Sequence, residues 1–95
     1  MPEMRFRIAW PDGSTESCYS PSLVIRDYFT VGQAYPVADF LARSHTALTI
    51  ASERVRAKYG YPCSRALAQL AHIETTSQQF LCLAGAHVGV VAFED

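Results

Sequence analysis

The groups able to do chemistry in this 95-residue chain are three cysteines, three histidines and a thin set of charges. Cys63 stands just before Ser64-Arg65, which reads as a helix start, and a helix N-terminus favours the thiolate. That makes Cys63 a candidate reactive thiol or ligand; the competing reading is a small core residue or cap neighbour. Cys18 is the second candidate, with core filling as its competitor. Cys82, in Leu81-Cys82-Leu83, reads as part of an apolar run. There is no Cys-x-x-Cys or His-x-His spacing, so a zinc site would need Cys18, Cys63 and a distant histidine. No metal or cofactor is expected. His45 and His72 fall on two different helical segments and His87 on a strand, and spacing alone pairs none of them with a catalytic partner.

Glu53-Arg54-Val55-Arg56-Ala57-Lys58 is the one charge cluster. Arg54 and Lys58, four apart, share a helix face and could meet an acidic partner or phosphate. They could equally complement the negative end of their own helix. Arg5, Arg7 and Tyr19 fall on one sheet face, and arginine and tyrosine are side chains that interfaces favour. Phosphate-binding glycine loops and a nucleophile elbow are missing, so the reading leans away from an enzyme.

The elements that must position these residues begin with residues 4–10, where Met4, Phe6, Ile8 and Trp10 alternate with Arg5, Arg7 and Ala9 as in a half-buried strand. Pro11-Asp12-Gly13 predicts a three-residue hairpin with a bulge, then a strand over 14–20. Pairing Trp10 with Ser14 sets Ile8 opposite Glu16, Phe6 opposite Cys18 and Arg5 opposite Tyr19. Cys18 then lands on the apolar face. Ser20-Pro21-Ser22 reads as a helix start opening a short segment over 23–29, and residues 30–36 as an irregular connection.

From Val37 the period changes. Val37, Leu41, Ser44, Leu48, Ala51, Val55 and Tyr59 recur every three or four residues, predicting an amphipathic helix over 37–59. Val55→Asp is expected to unfold the domain by burying an unpaired charge in that stripe. Gly60 caps the helix and Pro62 stops it. A second helix over 64–80, with Ala66/Leu67, Leu70, Ile73 and Phe80 as its face, makes an antiparallel pair with the first. Residues 86–93 are apolar on both faces, so that strand is interior to a sheet or covered by a partner. The expected class is α+β: an N-terminal β-hairpin, an antiparallel helical pair and a C-terminal strand joining a small antiparallel sheet.

Composition bounds the rest. One domain spans 1–95, since this length builds a single modest core. An apolar fraction of 49% excludes disorder, and a net charge of −1 speaks against nucleic-acid and membrane-surface binding. The start of the chain lacks a secretory core, no apolar run reaches membrane-span length, and an odd cysteine count is a poor disulfide framework. A cytoplasmic protein is expected.

Several blocks carry a resemblance. They are Met4-x-Phe6 with Trp10-Pro11-Asp12-Gly13, Cys18-Tyr19-Ser20-Pro21-Ser22, Tyr35-Pro36 with Asp39-Phe40, the run from Ala51 to Gly60, and Cys63-Ser64-Arg65-Ala66-Leu67. Over residues 1–75 the chain resembles a family of small bacterial nitrogen starvation response proteins. The resemblance implies a setting: a gene cluster with a nitrilase, a radical-SAM enzyme, an acetyltransferase and a flavoprotein, tied to nitriles or cyanide as nitrogen source. It carries over no catalytic residue. The leading expectation is thus a non-catalytic accessory protein that forms homo-oligomers or docks on an enzyme of that cluster. The alternative is a small-molecule or metal-binding carrier using Cys63 or Cys18 with a histidine.

Overall fold

A computed structural model of the chain describes residues 3–94. Two strands, β1 (Met4–Ala9) and β2 (Thr15–Ser20), form the expected hairpin. Gly13 takes a φ of 90° and donates its N–H to the Trp10 carbonyl at 2.9 Å, while Trp10 N–H donates to the Ser14 carbonyl at 2.7 Å. Only glycine adopts that φ without strain, which is why the turn sits there. The pairing is Phe6 with Cys18, Ile8 with Glu16 and Arg5 with Tyr19, as the sequence predicts.

The Ser20-Pro21-Ser22 segment departs from expectation. Ser20 Oγ donates to the Ser22 carbonyl at 2.7 Å, and Ser22 Oγ accepts from Val24 N–H at 3.3 Å. The hydroxyls satisfy a buried turn, so the short helix α1 (Ile25–Tyr28) starts later, with no side-chain cap. Residues 30–36 also hold more order than expected. After a turn at Gly32 (φ 89°), Ala34–Pro36 forms β3.

Helix α2 (Val37–Tyr59) has the predicted bounds, and Gly60 closes it at φ 87° with its N–H on the Arg56 carbonyl at 2.8 Å. Helix α3 (Ser64–Gln78) follows, two residues shorter than read from the pattern. Its buried stripe is Ala66, Leu70, Ile73 and Ser77; Leu67 faces outward, 45% exposed. The α2 stripe is buried through Ala51 and Ser52, but Val55 is half-buried and Tyr59 exposed. A 23-residue helix runs about 35 Å, nearly the 41 Å long axis of the molecule, so its last turns leave the core.

Strand β4 (His87–Glu94) runs antiparallel between β1 and β3, giving the order β2-β1-β4-β3. Of the two explanations for its apolar faces, interior position is realised. Ile8 pairs with Val90 and Arg7 with Ala92, so Val91 is the extra residue of a bulge. The helices cover one sheet face. Between them and the sheet, Trp10 meets Phe40 edge-on at 5.6 Å and Phe80 stacked at 5.8 Å, and Phe29 contacts Phe6, Tyr35 and Phe40. This aromatic chain ties β1, α1, β3, α2 and the turn after α3 into one core.

Candidate functional site

The other face of the sheet has no helix over it. Register places its side chains in rows: Thr15, Ala9, Gly89 and Ala34; then Ser17, Arg7 and Ala92; then Tyr19, Arg5 and Glu94. The first row is smooth because its side chains are small. The last row is charged and ends beside α3.

Helix α3 grips the edge strand β2 with three polar side chains at positions i, i+4 and i+7, one row over from its apolar stripe. Arg65 Cζ lies 3.9 Å from the centre of the Tyr19 ring. Gln69 Oε1 accepts the outward-pointing Tyr19 N–H at 2.9 Å. His72 Nε2 lies 3.1 Å from Glu16 Oε2. Edge strands leave backbone donors open, and here a side-chain amide fills one.

Tyr19 is the hub. Its OH donates to Glu3 Oε2 at 2.9 Å, and Arg5 Cζ sits 5.9 Å from the ring centre. Burial first, then the hydrogen bond and charge of Glu3, push its phenol up to about 12. It therefore stays protonated near neutral pH and serves as a donor and a platform, not as a base. Arg65 reaches the same Glu3 oxygen at 3.9 Å, and Glu94 accepts from Ser17 Oγ at 3.4 Å. Two adjoining cavities share the Arg5–Tyr19–Arg65 wall: one of about 340 Å³ bordered by Glu3 and Glu94, and one of about 400 Å³ bordered by Glu16, Gln69 and His72.

Of the residues singled out from sequence, the structure brings together Arg5 and Tyr19, with Arg7 in the neighbouring row. Arg54 and Lys58 lie elsewhere. Arg54 Nη1 donates to Ser22 Oγ at 2.8 Å, pinning α2 to the serine turn, and Lys58 Nζ is 5.4 Å from the Tyr59 ring centre. Cys63 is half-buried at the N-cap of α3 and lines a crevice of about 200 Å³ with Glu3, Tyr19 and Val55, but no histidine is there. Cys18 is fully buried, and burial pushes its thiol up to about 12. The Glu16 carboxylate, whose Oε1 lies 4.0 Å from Sγ, adds to that rise, so the thiol stays protonated near neutral pH. His45 lines a groove with Leu41, Glu74 and Leu81, and His87 Nδ1 lies 2.6 Å from the Gly85 carbonyl. Among the described residues, no three His, Cys, Asp or Glu side chains converge as a metal site. Of the two candidate cysteines, Cys18 is the one linked to a histidine, through Glu16: its Sγ lies 4.0 Å from Glu16 Oε1, and His72 Nε2 lies 3.1 Å from Glu16 Oε2.

Glu3, Glu16, Arg65, Gln69 and Glu94 belong to the site and were missed from sequence. The Arg65-Gln69-His72 spacing was the available signal, a polar stripe flanking the apolar one.

No helix among the described residues is long and apolar enough to cross a membrane. Neither a curated protein nor a solved structure matches the chain. A family model does match it, over residues 5–93, which covers the hairpin, both long helices and all but the end of β4. The chain belongs to the family of nitrogen starvation-induced protein NitG.

Proposed function

We propose that this protein is a non-catalytic, cytoplasmic accessory factor of a nitrilase-containing nitrogen-assimilation gene cluster, made under nitrogen starvation, which works by docking through its open sheet face. The observation that carries this reading is that face itself. It presents Arg5 and Arg7 beside a smooth row of small residues, with Val91 47% exposed at the bulge. Exposed arginine around an apolar centre suits recognition better than catalysis. The titratable groups nearby are engaged with one another: Tyr19 with Glu3, and His72 with Glu16.

The partner favoured first is a second copy of the chain, because acid (Glu94) and base (Arg5, Arg7) stand on the same face and a two-fold axis can match them. Size limits its strength. Four strands about 4.8 Å apart and about five residues long present roughly 300 Å² of flat area. A standard interface buries about 800 Å² on each partner. Self-association through this face is therefore weak and concentration-dependent, and an enzyme of the cluster is the partner that could cover its rim as well.

Sedimentation of the pure protein over a wide concentration range, run with capture of the neighbouring cluster enzymes, tests this. A mass that rises with concentration, or capture of a cluster enzyme, lost in the pair Arg7→Glu and Val91→Asp, is the expected result. A mass of one chain throughout, with no enzyme captured, overturns the docking reading.

A further inference from the structure

The charged row at the rim of the open face has features that docking does not require. Arg5 carries a guanidinium with five N–H donors. Its cross-strand neighbours are Tyr19 and Glu94. Yet among the described residues no carboxylate comes within ion-pair distance of it, and its guanidinium carbon lies 5.9 Å from the centre of the Tyr19 ring. Glu94 turns instead toward Ser17 Oγ. Arg65 is similar: it lies flat on Tyr19 and reaches Glu3 only at 3.9 Å, beyond hydrogen-bond length, on an oxygen that already accepts from the Tyr19 hydroxyl. Two guanidiniums with open donors and two carboxylates with open acceptors thus border one cavity of about 340 Å³. That volume falls within the range of about 300–1,000 Å³ typical of small-molecule sites.

The charges around the cavity cancel. A simple anion would meet two guanidiniums and two repelling carboxylates, and a simple cation the reverse. A molecule that carries both charges close together satisfies both pairs. Arg5 and Glu94 stand directly opposite each other on adjacent strands, with Cα atoms about 4.5–5.5 Å apart. The two side chains start from neighbouring backbone positions and diverge, Glu94 toward Ser17 and Arg5 toward Tyr19, which leaves room for a carboxylate on one and an ammonium on the other. Bidentate guanidinium–carboxylate pairing is the strong, directional half of such a contact. The Tyr19 ring, fixed by Glu3, Gln69 and Arg65, supplies a rigid wall. We propose that the cavity between Arg5, Tyr19, Arg65, Glu3 and Glu94 binds a small zwitterion of the amino-acid class, carboxylate on the guanidiniums and ammonium between the carboxylates.

Backbone-amide NMR titration of the full chain tests this with L-alanine and L-glutamine as zwitterions, propionate as carboxylate alone and ethylamine as ammonium alone. Saturable shifts at Arg5, Tyr19, Arg65 and Glu94 are expected with the amino acids, at dissociation constants on the order of millimolar. Propionate and ethylamine should bind at least about tenfold more weakly. Arg5→Gln should weaken the amino acids by a similar factor while the remaining amide spectrum stays native, and Arg7→Gln, one row away, should not. Should Arg5→Gln fail to fold, Arg65→Gln serves in its place. Shifts absent with both amino acids, propionate matching them, or full affinity in the folded arginine variants overturns the site. Arg7→Glu with Val91→Asp, which breaks docking, should leave this binding intact, so the two readings fail separately.

Discussion

Replacing Gln69 by leucine isolates the clamp between α3 and the edge strand. Gln69 Oε1 accepts the N–H of buried Tyr19 at 2.9 Å, a hydrogen bond that joins this helix to the backbone of β2. Leucine keeps most of the side-chain volume but leaves that donor without an acceptor. A buried, unsatisfied backbone N–H costs about 1–3 kcal/mol. Domains of this kind are stable by only about 5–15 kcal/mol, so the loss is a large share of the total. With a urea slope of about 1–2 kcal/mol/M, a cost near 2 kcal/mol lowers the unfolding midpoint by roughly 1–2 M at unchanged slope. Trp10, 4% exposed between Phe40 and Phe80, reports unfolding by its fluorescence. Amide exchange should quicken at Tyr19 more than at Phe6 or Ile8. Gln69→Glu keeps an acceptor between Arg65 and His72 and should stay near the parent. A Gln69→Leu unfolding free energy that differs from the parent's by less than about 0.5 kcal/mol, the range of ordinary surface changes, refutes the clamp.

The Tyr19 phenol gives a pH prediction. Its folded pKa is raised, so its contribution is intact below the ordinary tyrosine range and is lost as pH rises through about 12; Tyr19→Phe should flatten that alkaline fall in melting temperature. The α2 stripe separates two aspartate substitutions. Leu48→Asp, at a side chain 1% exposed, should abolish folding, whereas Val55→Asp, half-buried beside a crevice, should cost only about 1–2 kcal/mol in thermal melts followed by circular dichroism.

That second comparison shows how far pattern reading reaches. Period identified α2 correctly from Val37 to Tyr59, and hairpin chemistry gave the β1–β2 register residue by residue. Both depend on neighbours in sequence. Period could not say where along α2 the sheet stops, and so assigned Val55 and Tyr59 to a core that ends near Ser52. The same limit applies to Leu67: an apolar residue at a helix boundary can face either way until a partner helix defines inside. Strand β3 was missed because three residues ending in proline show no alternation; pairing with β4 makes them a strand.

The sequence by itself determined the α+β class, the hairpin and its register, the two helices with their glycine stop, and Arg5 beside Tyr19. Short-range sterics, capping and periodicity act within a few residues and are written in order along the chain. Tertiary structure alone decided that β4 lies inside the sheet, that Cys18 is sealed in the core, and that Arg54 serves the serine turn. It alone brought Glu3, Arg65 and Gln69 to Tyr19, and Glu94 to Arg5 and Ser17. Those contacts join residues 16 to 89 positions apart, and nothing local to either partner records the distance between them once the chain has closed.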